Sequence, residues 1–78
     1  MFKTSDIHVA AALLACGEEY IGVEAEDARS RRAIFKFYLS DTIEDAVKDY
    51  MNDKIRLPPR TLFGRLRELK GLAANVGR

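Results

Sequence analysis

The stretch RLPPRTLFGRLRELKG, residues 56–71, sets Arg60, Arg65, Arg67 and Lys70 around one aromatic, Phe63. Bases at this spacing can hold phosphates, because each neutralised phosphate releases counterions, and an aromatic among them can stack on an unpaired nucleobase. On a helical wheel Arg60, Phe63, Arg67 and Lys70 share one side and Arg65 falls on the other flank. Arg56 lies just upstream of the helix and can join the larger group. Arg56, Arg60, Phe63, Arg67 and Lys70 are therefore the candidate nucleic-acid contacts. A second reading fits the same residues. Leu62, Leu66, Leu69 and Ala73 form an inward stripe, and the bases then sit in water or face an acidic partner. Surface ion pairs of that kind contribute only ~0–1 kcal/mol each but help to set register between subunits. The readings separate by salt: phosphate binding falls steeply with ionic strength, whereas an interface anchored by buried apolar groups does not.

Other chemistry is sparse. His8 is the single histidine and Cys16 the single cysteine. On one helix a rise of ~12 Å separates them, too far for a Cys–His pair. Tetrahedral zinc requires more Cys or His ligands than the chain holds. The sequence contains no Gly-rich phosphate loop, nucleophile elbow or calcium loop. Glu44, Asp45, Asp49 and Asp53 recur within one helical segment and read as its solvated face. The expectation is a protein that is not an enzyme, with no metal and no cofactor.

The elements that must carry these groups follow from periodicity and caps. TSDIHVAAALLACG opens on capping residues, Thr4, Ser5 or Asp6, and closes on Gly17, the residue type preferred just past a helix end. Between Ile7 and Cys16 only His8 is polar, so both faces of this helix demand cover. Ile7, Ala10 and Leu14 share one face; Val9, Leu13 and Cys16 share the other and become candidate self-association residues. YIGVEAEDARSRRAIFKFYL then alternates about a polar turn, as a β-hairpin does. Ile21, Val23 and Ala25 face the core with Ala33, Phe35, Phe37 and Leu39. The outer face collects Tyr20, Arg32, Lys36 and Tyr38, a second candidate binding surface. In SDTIEDAVKDYMNDK, Asp41 and Glu44 have the spacing of a capping box, and Ile43, Ala46, Val47, Tyr50 and Met51 make an inward stripe. Pro58 and Pro59 suit the start of a last helix running to about residue 74.

The resulting class is α+β in the order α-β-β-α-α: an antiparallel two-stranded hairpin covered by helices. A short third strand, for which Ile55–Leu57 is the candidate, or a partner chain would extend it. Residues 1–78 form one domain, ordered over about 2–74 with a frayed tail.

Seventy-eight residues, 47% hydrophobic and 32% charged, give a small globular domain. A small core and a two-faced first helix together predict a homo-oligomer. One cysteine excludes an internal disulfide and fits a reducing cytoplasm. No apolar run reaches the ~20 residues that span a bilayer. LLAC before Gly17 loosely matches a lipoprotein cleavage box, but Asp6 ahead of a short apolar run argues against a signal peptide. The net charge of +1 conceals an imbalance: residues 1–53 hold six bases against eleven acids, and residues 54–78 hold seven bases against Glu68 alone. Such asymmetry points to an anionic partner, or to one half of the molecule meeting the other half of a neighbour.

FKTSDIHVAAALLACG, then YIGVE and RRAIFKFYL, then an acidic helix and PRTLFGRLRELK, together form a pattern over roughly residues 2–72. It resembles a family of short proteins of unknown function from bacteria, phages and other mobile elements, which share an F-K-T-S-D-I start, two strands and a final helix rich in Phe, Leu, Arg and Lys. The resemblance implies a small cytoplasmic accessory protein and assigns no catalytic or binding residue. The functional expectation is a self-associating interaction module or inhibitor, with nucleic-acid binding through the last helix as the alternative.

Overall fold

A computed structural model describes residues 1–27, 29 and 32–75. The chain is α+β, with β1 (Phe2–Thr4), α1 (Ile7–Ala15), β2 (Tyr20–Ala25), β3 (Ala33–Phe37), α2 (Ile43–Met51) and α3 (Pro59–Ala73). The polar hairpin turn lies partly, and the expected frayed tail almost wholly, outside the described residues.

The third strand is Phe2–Thr4. Ile55–Leu57 joins no sheet. Phe2 sits opposite Phe37, Lys3 opposite Lys36 and Thr4 opposite Phe35, so β3 becomes the central strand of an antiparallel sheet ordered β1-β3-β2. β1 and β2 thus run parallel on either side of β3, and α1 connects them as the crossover of a split β-α-β unit.

Local chemistry fixes the ends of α1. The Asp6 Oδ1 accepts from the backbone N–H of His8 at 2.9 Å and of Val9 at 3.3 Å. Gly17 has φ of 90°, its N–H donates to Leu14 O, and the Glu18 N–H donates to Leu13 O. This is a Schellman closure, for which glycine alone lacks a Cβ penalty. The paired bonds Asp53 N–H to Tyr50 O and Lys54 N–H to Asp49 O close α2 in the same way, with Asp53 taking the left-handed position at φ 56°. Asp53 is therefore past the helix.

The capping box expected from Asp41 and Glu44 does not form. Thr42 is the N-cap of α2, and its hydroxyl makes no cap bond. Instead it donates to Glu18 Oε2 at 2.6 Å while Ser40 Oγ donates to Oε1 at 2.5 Å. One carboxylate thereby ties the start of α2 to the residue that closes α1.

The core is a single cluster built from Val9, Ala10, Ala11 and Leu13 of α1, Phe35 and Phe37 of β3, Ile43 of α2 and Leu69 of α3. α1 packs most extensively against α3, and also touches α2 and β1. The sequence-based argument for self-association through Val9 and Leu13 fails here. Val9 is 2% exposed and Leu13 0%, because the chain's own sheet and helices cover both the Val9 and the Ala10 side of α1. Cys16, at the end of that helix, is exposed.

Two inward expectations also change. Leu39 is 65% exposed because β3 ends at Phe37, and Met51, the last residue of α2, faces solvent.

Candidate functional site

Leu69 is fully buried, Leu62 and Leu66 are half-buried, and all three pack towards the core. This anchoring fixes which side of α3 faces outward. Arg60, Phe63, Arg67 and Lys70 are all exposed on α3, and Arg56 is exposed ahead of it. Phe63 is 62% exposed, a large cost in hydrated apolar area for a ring that the core does not use.

Phe63 stands at a hollow of about 60 Å³ where three helices meet. His8 and Ala11 of α1, Tyr50 of α2, and Leu62, Phe63 and Leu66 of α3 line it. Three adjacent elements create the hollow, so no single-helix pattern could have announced it.

Most of the charges on α3 and α2 have no ion pair among the described residues. Within α3, Glu68 accepts from Arg65 Nη1 at 3.2 Å, one turn away, which leaves Arg67 free of its sequence neighbour. Among the described residues Arg56, Arg60, Arg67 and Lys70 form no ion pair. The acids of α2 do not reach them: Glu44, Asp45 and Asp49 are exposed and likewise have no ion pair among the described residues. α2 and α3, which carry these exposed charges of opposite sign, both contribute to the apolar depression, α2 through Tyr50 and α3 through Leu62, Phe63 and Leu66.

The second candidate surface does not assemble. Tyr20 turns inward, because a β-bulge between Tyr20 and Gly22 inserts Ile21 without a partner and moves Tyr20 onto the face of Phe37. Its ring meets Phe37 edge-on at 5.4 Å between centroids. Its hydroxyl oxygen is buried without a hydrogen-bond partner, and the burial pushes its pKa up. Arg32 donates through Nη2 to Ser5 Oγ at 2.7 Å, and Lys36 pairs with Glu24 at 3.2 Å. Tyr38 is exposed beyond the far end of β3 from Arg32. Lys3, directly across from Lys36, is the outward base that sequence periodicity missed, since three residues are too few to display an alternation.

His8 and Cys16 occupy opposite ends of α1. His8 Nδ1 lies 3.6 Å from Asp6 Oδ1, the oxygen that caps the helix. Partial desolvation, reinforced by the Glu18 and Asp49 charges, pushes the Cys16 thiol up. Among the described residues no group of three His, Cys, Asp or Glu side chains converges on a point, and no helix is long and apolar enough to cross a membrane.

A family model covers residues 1–75 of this chain, nearly its full length. The chain belongs to the DUF5659 family. That family is described as a domain of unknown function, so membership assigns no chemistry. No curated protein and no solved structure matches the chain.

Proposed function

We propose that this DUF5659 domain is a non-enzymatic interaction protein whose working surface is the hollow between α1, α2 and α3. The carrying observation is an exposed Phe63 at the rim of an apolar depression, with uncompensated bases on the same helix. An exposed aromatic beside an apolar depression, with bases elsewhere on the same helix, suits an interface that concentrates its energy in a few residues. A phosphate has no use for an apolar hollow, whereas an apolar side chain set among acids fills it and meets the bases. The protein acts by occupying such a partner, as an inhibitor or adaptor does. The F-K-T-S-D-I opening supports an accessory role in a bacterium, phage or mobile element, and the free Cys16 fits a reducing cytoplasm.

The decisive experiment places photoreactive benzoyl-phenylalanine at position 63 in cells that express the protein. Protein adducts that disappear when the probe is moved to the buried position 69 support this reading. The absence of any adduct refutes it.

A nucleic-acid reading draws on one specific observation, the four bases without ion pairs beside an exposed aromatic. It predicts adducts to nucleic acid, and oligonucleotide binding by fluorescence anisotropy that weakens sharply with salt and is lost in Arg60→Glu/Arg67→Glu.

A further inference from the structure

We infer that the free edge of β2 accepts a fourth strand, and that residues 54–58 of a second copy of the chain supply it. The edge and the hollow share no residue, so this contact and the proposed function stand or fall separately.

The acceptor follows from the ladder. β2 has β3 on one side only. The Glu26 N–H donates to Arg32 O at 2.9 Å, which makes Glu26 and Arg32 a hydrogen-bonded pair. Bonded and non-bonded pairs alternate along an antiparallel ladder, so Ala25 with Ala33 and Val23 with Phe35 are non-bonded pairs. The backbone N–H and C=O of Val23 and Ala25 therefore point away from β3, and among the described residues they meet no partner there. The other edge of the sheet is better defended, since β1 has only 3 residues and the middle one is Lys3. From Gly22 to Ala25 the β2 edge holds neither lysine nor proline. Val23 faces the core, with Ala25 in phase. Gly22, Glu24 and Glu26 face outward, where Glu24 meets Lys36 at 3.2 Å. A strand added here must alternate apolar residues with bases.

The chain carries such a segment. Lys54, Ile55, Arg56, Leu57 and Pro58 alternate base and apolar residue and belong to no sheet. Lys54 and Arg56 are exposed, Ile55 and Leu57 are half-buried, and neither apolar side chain is among those packed on the core. Pro58 holds an extended backbone, with φ −58° and ψ 131°. One antiparallel register satisfies every position. Leu57 opposite Val23 and Ile55 opposite Ala25 become hydrogen-bonded pairs, each exchanging both backbone bonds. The N–H and C=O of Ile55 and Leu57 have no other partner among the described residues. Arg56 then stands opposite Glu24, and Lys54 opposite Glu26, which has no ion pair among the described residues. Pro58 falls opposite Gly22, at a position whose N–H the pairing does not use. Its missing donor therefore costs nothing, and an absent side chain leaves room for its ring. The Lys54 N–H, already given to Asp49 O at 2.8 Å, is likewise not needed.

Each copy offers one donor segment and one acceptor edge, so the contact is head-to-tail. It differs from the self-association read from sequence, because Val9 and Leu13 are enclosed within the monomer and take no part.

Sedimentation equilibrium of the full chain tests this, with circular dichroism confirming that every variant is folded. The wild type is expected to show a mass above that of one chain, rising with concentration. Ala25→Pro removes the outward N–H of the acceptor and spares the bonds to β3, and Ile55→Pro removes an N–H of the donor. Each variant alone is expected to be monomeric. Their equimolar mixture is expected to form a dimer with one copy of each and nothing larger, since one variant can only donate and the other only accept. If Ala25→Pro does not fold, Glu24→Lys/Glu26→Lys replaces it with the same expected outcomes. A wild type that stays monomeric up to millimolar concentration overturns the inference, even if the edge then takes a strand of another protein. Association indifferent to both substitutions, or a mixture that stays monomeric, overturns it as well.

Discussion

Replacing Tyr20 with phenylalanine should stabilise the fold, and the reasoning runs from the bulge to the hydroxyl. The bulge at Ile21 carries the Tyr20 ring onto the core side, where its edge meets Phe37, and leaves the phenolic oxygen buried with no partner. An unsatisfied buried hydroxyl costs about 1–3 kcal/mol. The residue as a whole is only half-buried, so the lower end applies, about 1 kcal/mol. Tyr20→Phe removes the oxygen and keeps the ring contact. In a domain of this size 1 kcal/mol moves Tm by ~4–8 °C. The assay is thermal and urea unfolding of both proteins, with an alkaline arm. Burial raises the Tyr20 pKa, so above the ordinary tyrosine value of ~10 the unfolded chain releases its proton first. Wild-type stability therefore carries a component that falls as pH rises through that value towards the folded one. The Tyr20→Phe variant lacks that component, while Tyr38 and Tyr50 remain as a common background. A variant destabilised by 1 kcal/mol or more would show that the hydroxyl is bonded, and would refute the account of the bulge.

Three other substitutions probe other parts of the fold. Leu13→Ala should cost about 2–5 kcal/mol, because Leu13 is fully enclosed by its own chain. That is a large share of the stability of a domain this small, and a circular-dichroism melt should show Tm falling steeply. Gly64→Ala should raise stability by ~0.5–1 kcal/mol through helix propensity, since an added Cβ meets open space, and urea titration would register the gain. Cys16 should alkylate with a half-maximal pH above that of the same chain in urea. Desolvation, Glu18 and Asp49 all hold its proton, and Asp49→Asn should move the folded profile down. A folded profile at or below the unfolded one would contradict the electrostatic surroundings assigned to the thiol.

Where local chemistry decides the structure, the sequence could be read directly. Asp6 and Gly17 mark the ends of α1 because a carboxylate cap and a left-handed closure each depend on neighbours within four residues. Pro59 opens α3, and the stripe of Leu62, Leu66 and Leu69 points inward, for similarly local reasons. The failures share the opposite property. Tyr20 changes face because of its pairing with β3, which its own strand does not encode. The capping box expected of Asp41 and Glu44 gives way to Thr42 as N-cap, whose hydroxyl is held by Glu18, distant in sequence. Phe2–Thr4 is too short to display an alternation, yet it supplies a third of the sheet's strands. For the candidate site, the bases and Phe63 were legible on a wheel, but the hollow depends on His8, Ala11 and Tyr50 from two other elements.

Missing that third strand had a consequence for function. A helix apolar on every side, beside only a two-stranded hairpin, demands a second chain to cover it. Once β1 joins β3, the sheet, α2 and α3 enclose α1, and that demand is met within one copy. The burial argument for an oligomer then loses its force, and any contact must be made by what remains outside. The outer sheet face is a poor candidate: Lys3 opposes Lys36 directly, a repulsive arrangement, and Lys36 is already paired with Glu24. α2 and α3 carry exposed charges of opposite sign with no ion pair among the described residues, and both contribute side chains to the apolar hollow. Surface charge of that kind contributes little to holding the monomer together, and its segregation onto two separate helices, α2 and α3, is what a partner would read. The surface that folding left unsatisfied is therefore the one on which a search for this protein's partner should begin.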